Sequence, residues 1–430
     1  MVGWSHYEAL TNLVDTHLIT RNWNKPALDR IGLVEGRDYT VFDTDWLVNP
    51  VARLVERISG PNKGYAMLTA LTMPAYLLTE RMMWRRFGKA LRAGEFDLVH
   101  RITPLSAAVP SQLATLCRRI GVPFILGPLN GGLPWPKEFP ELQRQEGEFL
   151  SKLRGLYRLV PGYRATRRDA AAIMVGGASA IADLPVKWRS KAVYVPENGI
   201  DPARFPRPAV RTAESYAGRP LRAAFLGRMV PYKGCDMLLE AAAPLLRSGR
   251  LLLDIIGFGP ERERLDRMVA DFGVAGSVTF AGKLSHFDLA PRLNRADLLT
   301  FPSVHEFGGA VVLEAMAAGV VPVVVNYGGP AELVSPASGY LLPLGDRAAI
   351  IASLRATLYE ILVDPGQIAA KSRVGIDRAF GLFAWPAKAA QTLEVYRWVL
   401  GQRADKPNMG LPFLDPAPTA QDDPQSEWAA

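Results

Sequence analysis

The sequence contains little cysteine and no long hydrophobic run. Only Cys117 and Cys235 occur among 430 residues, which excludes a disulfide framework and indicates a reducing compartment. The two thiols also lack the spacing of a zinc site, so no bound metal is predicted. No stretch of 18 apolar residues is present, so no transmembrane helix is predicted. We therefore expect a cytoplasmic protein.

Positive charge is concentrated in the first half of the chain. The first 200 residues hold 26 Lys and Arg against 18 Asp and Glu, whereas the remainder balances at 24 of each sign. The composition, 49% hydrophobic and 21% charged, is globular, and the length predicts two or three domains. A basic half favours an anionic surface such as lipid headgroups or phosphates. No nucleic acid is expected as a partner.

Strands and helices alternate along the chain. After residue 210, short apolar runs predict strands at 221–227, 251–257, 277–281, 296–301 and 320–325. Strands in the first half are predicted at 14–20, 97–102, 123–126 and 171–175. Strands that are apolar on both faces need helices on both sides, which indicates parallel sheets. We predict an α/β fold with two Rossmann-like domains, 1–197 and 198–381, a final helix at 382–400 and a disordered tail at 401–430.

The start of the chain leaves no room for an opening strand. Ser5 and Glu8 match a capping box, which predicts a helix beginning at about His6. A Rossmann sheet normally begins with a central strand before its first helix. Either the N-terminal domain is built differently, or it lacks its first strand. We favour the second alternative and expect roughly 15–30 further residues upstream, ending in a glycine-rich loop.

Two charged, glycine-containing segments follow predicted strands. In residues 303–329, Glu306 and Glu314 flank a glycine pair at the start of a predicted helix. A helix N-terminus offers free N–H groups to a phosphate, and carboxylates can accept hydrogen bonds from hydroxyls. In residues 225–234, Arg228 and Lys233 follow a buried strand and could neutralise a diphosphate.

In this order, the segments resemble the retaining nucleotide-sugar glycosyltransferases of family four. The resemblance covers most of the chain and is strongest over residues 195–335, which include PENGIDPARF, FLGRMVPYKG, IGFGPERERL and VTFAGKL. It implies the GT-B architecture, in which an N-terminal acceptor-binding domain and a C-terminal donor-binding domain face each other across a cleft. It also implies that the final helix crosses back to the N-terminal domain.

The resemblance implies a role for each matching residue. Arg228 and Lys233 would hold the donor diphosphate, and Glu306 would contact the transferred sugar. Glu314 would bind the ribose. The remaining donor-binding positions are Phe307, Gly308 and Gly309 beside sugar and phosphate, Lys283 and Leu284 beside the base, and Gly257 and Gly259 in the donor-side loop.

The first half is expected to hold the acceptor. His100 ends a predicted strand and matches in part a histidine that contacts the donor sugar, although a strand-end histidine bonded to backbone explains it almost as well. The loop at 127–136 should border the acceptor cleft, with Asn130, Gly131 and Gly132 closest. Segments 82–92 and 151–168 mix cations with large apolar residues, so peripheral contact with an anionic membrane is an open alternative to simple solvation.

The predicted function is retaining hexosyl transfer from a nucleotide diphosphate sugar to a glycan or lipid-linked acceptor. No cofactor and no metal are expected, because the sequence has no Asp-rich metal motif. One alternative is a non-catalytic nucleotide-sugar-binding subunit, left inactive by the missing strand. A sugar phosphorylase or an epimerase on the same fold is a further alternative. A dehydrogenase is disfavoured, because Arg262 stands where the dinucleotide fingerprint has its third glycine.

Overall fold

The computed structural model describes residues 2–59, 71–145, 157–409 and 411. The strands in these ranges are β1 (Leu18–Arg21), β2 (Tyr39–Phe42), β3 (Val99–Arg101), β4 (Phe124–Leu129), β5 (Ala172–Val175), β6 (Ala192–Tyr194), β7 (Leu221–Leu226), β8 (Leu251–Ile256), β9 (Val278–Gly282), β10 (Leu298–Phe301), β11 (Val321–Val325) and β12 (Tyr340–Leu342). They form three sheets in which every recorded pairing is parallel, which confirms the predicted α/β class.

Helices cover and connect these sheets. The N-terminal ones are α1 (Val2–Leu10), α2 (Lys25–Arg30), α3 (Asp45–Ser59), α4 (Met73–Arg92), α5 (Gln112–Arg119), α6 (Pro140–Gln145), α7 (Tyr163–Asp169), α8 (Ala178–Asp183) and α9 (Val186–Arg189). The later ones are α10 (Cys235–Arg247), α11 (Arg262–Asp271), α12 (His286–Leu293), α13 (Ala310–Ala317), α14 (Gly328–Leu333), α15 (Arg347–Val363), α16 (Gln367–Arg378) and α17 (Trp385–Val399). None of the helices in the described ranges is long and apolar enough to span a bilayer.

The N-terminal half contains a four-stranded sheet in the order β3-β4-β5-β6 and a separate β1–β2 pair. All residues of β4, β5 and β6 are buried, as expected of strands covered on both faces. The strand predicted at 14–20 begins only at Leu18, and it pairs with β2, which the sequence analysis did not predict. β2 is four residues long, too short for alternation to reveal it.

The helix at the start of the chain begins earlier than predicted. α1 already includes Val2, so Ser5 and Glu8 lie inside the helix and the capping-box prediction of a start at His6 is wrong. Burial explains the difference: His6 and Leu10 pack against the last helix, and His6 Nε2 lies 2.9 Å from Thr392 Oγ1. Tertiary packing therefore extends the helix toward the N-terminus, beyond its local start signal.

The C-terminal half contains a six-stranded sheet in the order β12-β11-β10-β7-β8-β9. Within this sheet, β7 comes first, and β8 and β9 add in turn on one side of it. β10 then lies on the other side of β7, followed outward by β11 and β12. The strand order therefore reverses between β7 and β10. In open parallel sheets, ligands bind beyond the carboxyl ends of the strands at such a switch point.

The chain crosses between the two halves at two adjacent points. Ile200 N donates to Phe383 O and Trp385 N donates to Ile200 O, each at 2.9 Å. After this crossing, α17 packs against α1 and against Ile125, Met174 and Val193 of the N-terminal sheet.

Part of the predicted disordered tail is placed against the protein. Gln402 N donates to Arg397 O at 2.8 Å, and Leu411 is buried in the core. The prediction of disorder from residue 401 is therefore wrong for residues 401–409 and 411. Residue 410 and residues 412–430 lie outside the described residues.

Candidate active site

The loops that follow β7 and β10 meet at the switch point. Val304 N donates to Tyr232 O at 3.0 Å, which ties the two loops together. A short 3-10 turn, Pro231–Lys233, aims the Lys233 side chain at the second loop, and its ammonium contacts Glu306 Oε2. The structure thus brings together two of the residues that the sequence analysis selected.

Glu306 also joins this pair to the start of α13. Its Oε1 accepts a hydrogen bond from Gly309 N at 3.3 Å. Gly309 has φ +61°, a left-handed conformation that glycine adopts without strain, and it forms the N-cap of α13. The carboxylate therefore occupies the positive end of the helix, where an anionic ligand would bind.

Charge at this position is concentrated and partly buried. Burial and the nearby Arg228 guanidinium lower the pKa of Lys233 to about 8, and the Lys233 ammonium contacts the Glu306 carboxylate. Arg228 itself is exposed. Glu306 thus contacts one cation, Lys233, and the N-terminus of α13, and a second cation, Arg228, lies near Lys233. Two cations beside one carboxylate leave net positive charge for a ligand.

Glu314 lies farther along α13. Burial raises the pKa of this carboxyl to about 7, and the Arg204 guanidinium opposes the shift. The carboxyl is therefore poised between its neutral and ionised forms near neutral pH.

The other predicted donor-binding residues lie at the neighbouring strands. Gly257 and Gly259 follow β8, and Gly257 N donates to Gly282 O at 2.9 Å. Lys283 and Leu284 directly follow β9, with Lys283 exposed and Leu284 half-buried.

The loop at 127–136 contacts the C-terminal half of the molecule. Trp135 stacks on His305 with ring centroids 4.1 Å apart and planes 5° from parallel. His305 Nε2 lies 3.3 Å from Leu133 O, and Tyr327 donates to Pro134 O at 2.6 Å. Because His305 directly precedes Glu306, this loop reaches the Lys233–Glu306 pair from the opposite domain.

The predicted acceptor residues occupy the same loop. Gly131 is exposed with open space around it, Gly132 lies beside Asp183, and Asn130 is hydrogen-bonded to Glu197. Neither Trp135 nor His305 is among the site residues predicted from the sequence. An aromatic residue in the predicted acceptor loop was the available signal for Trp135.

Glu197 and Asn198, in the connection between the two halves just before Ile200, also lie at the site and were not predicted from the sequence. Asn198 Nδ2 and Glu197 Oε1 would stand 2.3 and 2.9 Å from a Cβ added to Gly308. Glu197 is buried, and burial raises the pKa of its carboxyl. Across from it, the buried ammonium of Lys388 on α17 donates to Pro196 O. Glu197 and Asn198 therefore lie directly against Gly308, in the loop that carries Glu306.

His100 is fully engaged within the protein. Its Nε2 donates to Gly127 O and its Nδ1 accepts from Tyr396, each at 2.7 Å, because a carbonyl can only accept. Burial lowers the pKa of His100 to about 4, so the ring is neutral. Both ring nitrogens are therefore occupied, and the expected contact with a donor sugar stays a prediction.

The two basic segments differ in how much charge they expose. In segment 82–92, which lies in α4, the cations Arg85, Arg86, Lys89 and Arg92 are exposed. Residues 151–156 of the second segment lie outside the described residues. Within its remainder, Arg167 is buried over the Tyr163 ring and donates to Ala107 O at 2.6 Å. Arg167 is therefore not a surface cation, contrary to the expected basic face.

Residues 208–360 match the family model for glycosyl transferases group 1. Among curated relatives, glycogen synthase from Mycobacterium tuberculosis is 31% identical over 229 residues, covering 52% of this chain and 53% of that protein. D-inositol 3-phosphate glycosyltransferase from an Arthrobacter species is 29% identical over 326 residues, covering 73% of each. The chain spans about half the length of the first curated relatives it matches.

Solved structures show the same architecture. Anabaena HepE in complex with UDP has a TM-score of 0.57 at 16% identity, covering 89% of this chain and 99% of that one. A glycosyltransferase from Rickettsia africae has a TM-score of 0.58 at 14% identity, covering 93% and 95%. At these identities the likeness shows the fold, which is GT-B.

Proposed function

We propose that the chain transfers a hexose from a nucleotide diphosphate sugar to an acceptor hydroxyl with retention, starting from the match of residues 208–360 to the family model for glycosyl transferases group 1. The acceptor is a glycan or a lipid-linked glycan. The observation that carries the proposal is the Lys233–Glu306 contact at the N-terminus of α13.

The donor diphosphate binds between Lys233, Arg228 and the N-terminus of α13. Lys233 and the exposed Arg228 bind its oxygens, and the free N–H groups at the start of α13 face the phosphate next to the sugar. Glu306, released from Lys233, accepts hydrogen bonds from hydroxyls of the transferred sugar. Glu314 accepts hydrogen bonds from the ribose.

The reaction is a substitution on one face of the sugar. The bond between the anomeric carbon and the diphosphate oxygen breaks, and the acceptor oxygen bonds to that carbon from the same side. The acceptor proton moves to the departing phosphate oxygen. Charge develops on the leaving diphosphate, so Lys233, Arg228 and the α13 N-terminus stabilise the transition state more than the ground state. These groups are the catalytic machinery, and the reaction needs no bound metal.

The acceptor enters beside Gly131, the exposed glycine in the loop that Trp135 ties to His305. The exposed cations of α4 lie in the same half of the chain and would hold a lipid-linked acceptor at an anionic membrane surface. The protein then works as a peripheral enzyme on the cytoplasmic face.

The test compares three lysine and glutamate variants with wild type. Lys233→Ala and Glu306→Gln should each lower transfer by roughly 100- to 1,000-fold, the cost of losing one preorganised group, while thermal unfolding shows a folded protein. Lys25→Ala is the matched control, because Lys25 pairs with Glu35 on the surface of the other domain and should leave transfer unchanged. Near-full turnover by either site variant would refute the donor-site assignment.

The same assay separates the alternatives. Wild type is incubated with UDP-, GDP- and ADP-sugars and a membrane extract containing glycan acceptors, with and without EDTA. Nucleotide-sugar binding without transfer favours a non-catalytic subunit, and release of sugar phosphate only with inorganic phosphate favours a phosphorylase. Conversion of the sugar while it stays on the nucleotide favours an epimerase. Loss of transfer in EDTA would contradict the metal-independent reaction.

A further inference from the structure

Phe258 is a large apolar side chain left exposed at the site. It lies between Gly257 and Gly259, directly after β8, and 55% of its surface is exposed. β8 pairs with β7 along its whole length, and Gly227 N donates to Ile256 O at 3.0 Å. Phe258 therefore stands one strand beyond the loop that carries Arg228 and Lys233, at the same edge of the sheet.

The backbone around Phe258 is held firmly. Gly257 N donates to Gly282 O at 2.9 Å, and Phe258 O accepts from Met229 N at 2.8 Å. Gly259 packs so closely that an added Cβ would stand 2.3 Å from Met229 O. These contacts prevent the loop from turning the ring inward, so the exposure of Phe258 is a property of the fold.

A neighbouring aromatic ring, by contrast, is covered by a charged side chain. Phe280 on β9 is half-buried, and the Arg262 guanidinium covers its ring at 4.0 Å. Within the described part of the chain, the one charged group over Phe258 is the Lys283 ammonium, 5.4 Å from the ring centroid. This edge of the sheet therefore covers one ring and presents the other to solvent beside a cation.

We propose that the Phe258 ring stacks on the nucleobase of the donor, with Lys283 beside the edge of the base. The inference rests on the proposed function, which places a nucleoside diphosphate at this edge. A base offers a flat π-face whatever its identity, and base–aromatic stacking contributes about 1–3 kcal/mol in other proteins. The diphosphate and the ribose are held by other residues, so Phe258 contributes to the affinity for the base alone.

The experiment measures dissociation constants by calorimetry for UDP, GDP, ADP and inorganic pyrophosphate. Phe258→Ala should weaken the binding of the tightest nucleoside diphosphate by about 5- to 150-fold, as expected for the loss of one stacked ring, and leave pyrophosphate binding unchanged. Phe258→Trp keeps a flat ring and should bind the nucleotide within about threefold of wild type. Val363→Ala removes an exposed apolar side chain from α15, which packs on β12 at the opposite edge of the sheet, and should change neither ligand.

Two results would overturn the stacking role while leaving the proposed function standing. One is wild-type nucleotide affinity in Phe258→Ala; the other is an equal loss for nucleotide and pyrophosphate, which would indicate a distorted loop. A wild-type protein that binds none of the three nucleotides would instead overturn the proposed function, and the inference with it.

Discussion

Gly329→Ala tests whether the position of the Phe307–Gly308 backbone controls the reaction. Gly329 lies in α14 and donates from its N–H to Glu306 O at 2.9 Å. A Cβ at this position would stand 2.0 Å from Phe307 O, 2.6 Å from Phe307 C and 2.9 Å from Gly308 C. All three atoms belong to the backbone, so no side chain can rotate away to relieve the overlap.

The overlap sets the size of the effect. Ordinary contact begins at 3.4 Å, so the Phe307–Gly308 backbone must move about 1.4 Å away from α14. Overpacking of this kind costs about 1–3 kcal/mol of stability. A displacement of about 1 Å in a reacting group lowers the rate by roughly 100-fold. We therefore expect kcat/KM for transfer to fall about 100-fold in a protein that remains mostly folded.

Steady-state kinetics at 25 °C and thermal unfolding measure the two effects separately. Gly276→Ala is the matched control, because an added Cβ there meets nothing within 4 Å. It should leave both kcat/KM and the melting temperature unchanged. If Gly329→Ala keeps kcat/KM within twofold of wild type, the reaction does not depend on the observed position of the Phe307–Gly308 backbone, and the prediction is refuted.

Three further predictions concern pH, the acceptor loop and membranes. Nucleotide-sugar affinity should peak between about pH 7 and 8. Glu314, with its pKa raised to about 7, is mostly ionised above that pH, and Lys233, with its pKa lowered to about 8, is mostly charged below that pH. Calorimetry across pH should show that Glu314→Gln removes the loss of affinity on the acid side, and an unchanged loss would contradict the ribose role. Trp135→Ala, which removes the stack on His305, should raise the KM for acceptor more than that for donor, with partial recovery in Trp135→Phe; equal changes in both KM values would count against a role in acceptor placement. Segment 82–92 should direct the protein to anionic vesicles at low salt but not at high salt in co-sedimentation, and equal binding to neutral vesicles would remove the membrane proposal.

The strands of the C-terminal half could be located from the sequence because most of their residues are buried. β10 and β11 are buried on both faces, so each reads as a continuous apolar run, and the predicted bounds differ from the observed ones by at most two residues. β1 and β2 form an isolated pair with half-buried positions, and no such run marks them. Local signals at α1 failed because contacts with α17, almost 400 residues away, decide where that helix lies.

Part of the candidate site could also be predicted from the sequence, because two of its residues follow recognisable strands. Lys233 and Glu306 stand beside glycines just after strands, and the ends of parallel strands meet at one edge of a sheet. The stack of Trp135 on His305 and the contact of Glu197 with Gly308 join the two domains. Such contacts depend on how the domains sit together, and no spacing within either domain encodes that arrangement.

The paired crossing at Ile200 and Trp385 makes the C-terminal half an insertion within the chain of the N-terminal half. Ile200 and Ala384 lie side by side as bridge partners, so the whole segment between them leaves and re-enters through one gap. Exchanging residues 201–383 for the corresponding segment of a relative would cut the chain only where two strands of backbone already touch. Under the proposed function, such an exchange should change the donor sugar while the N-terminal half keeps its acceptor.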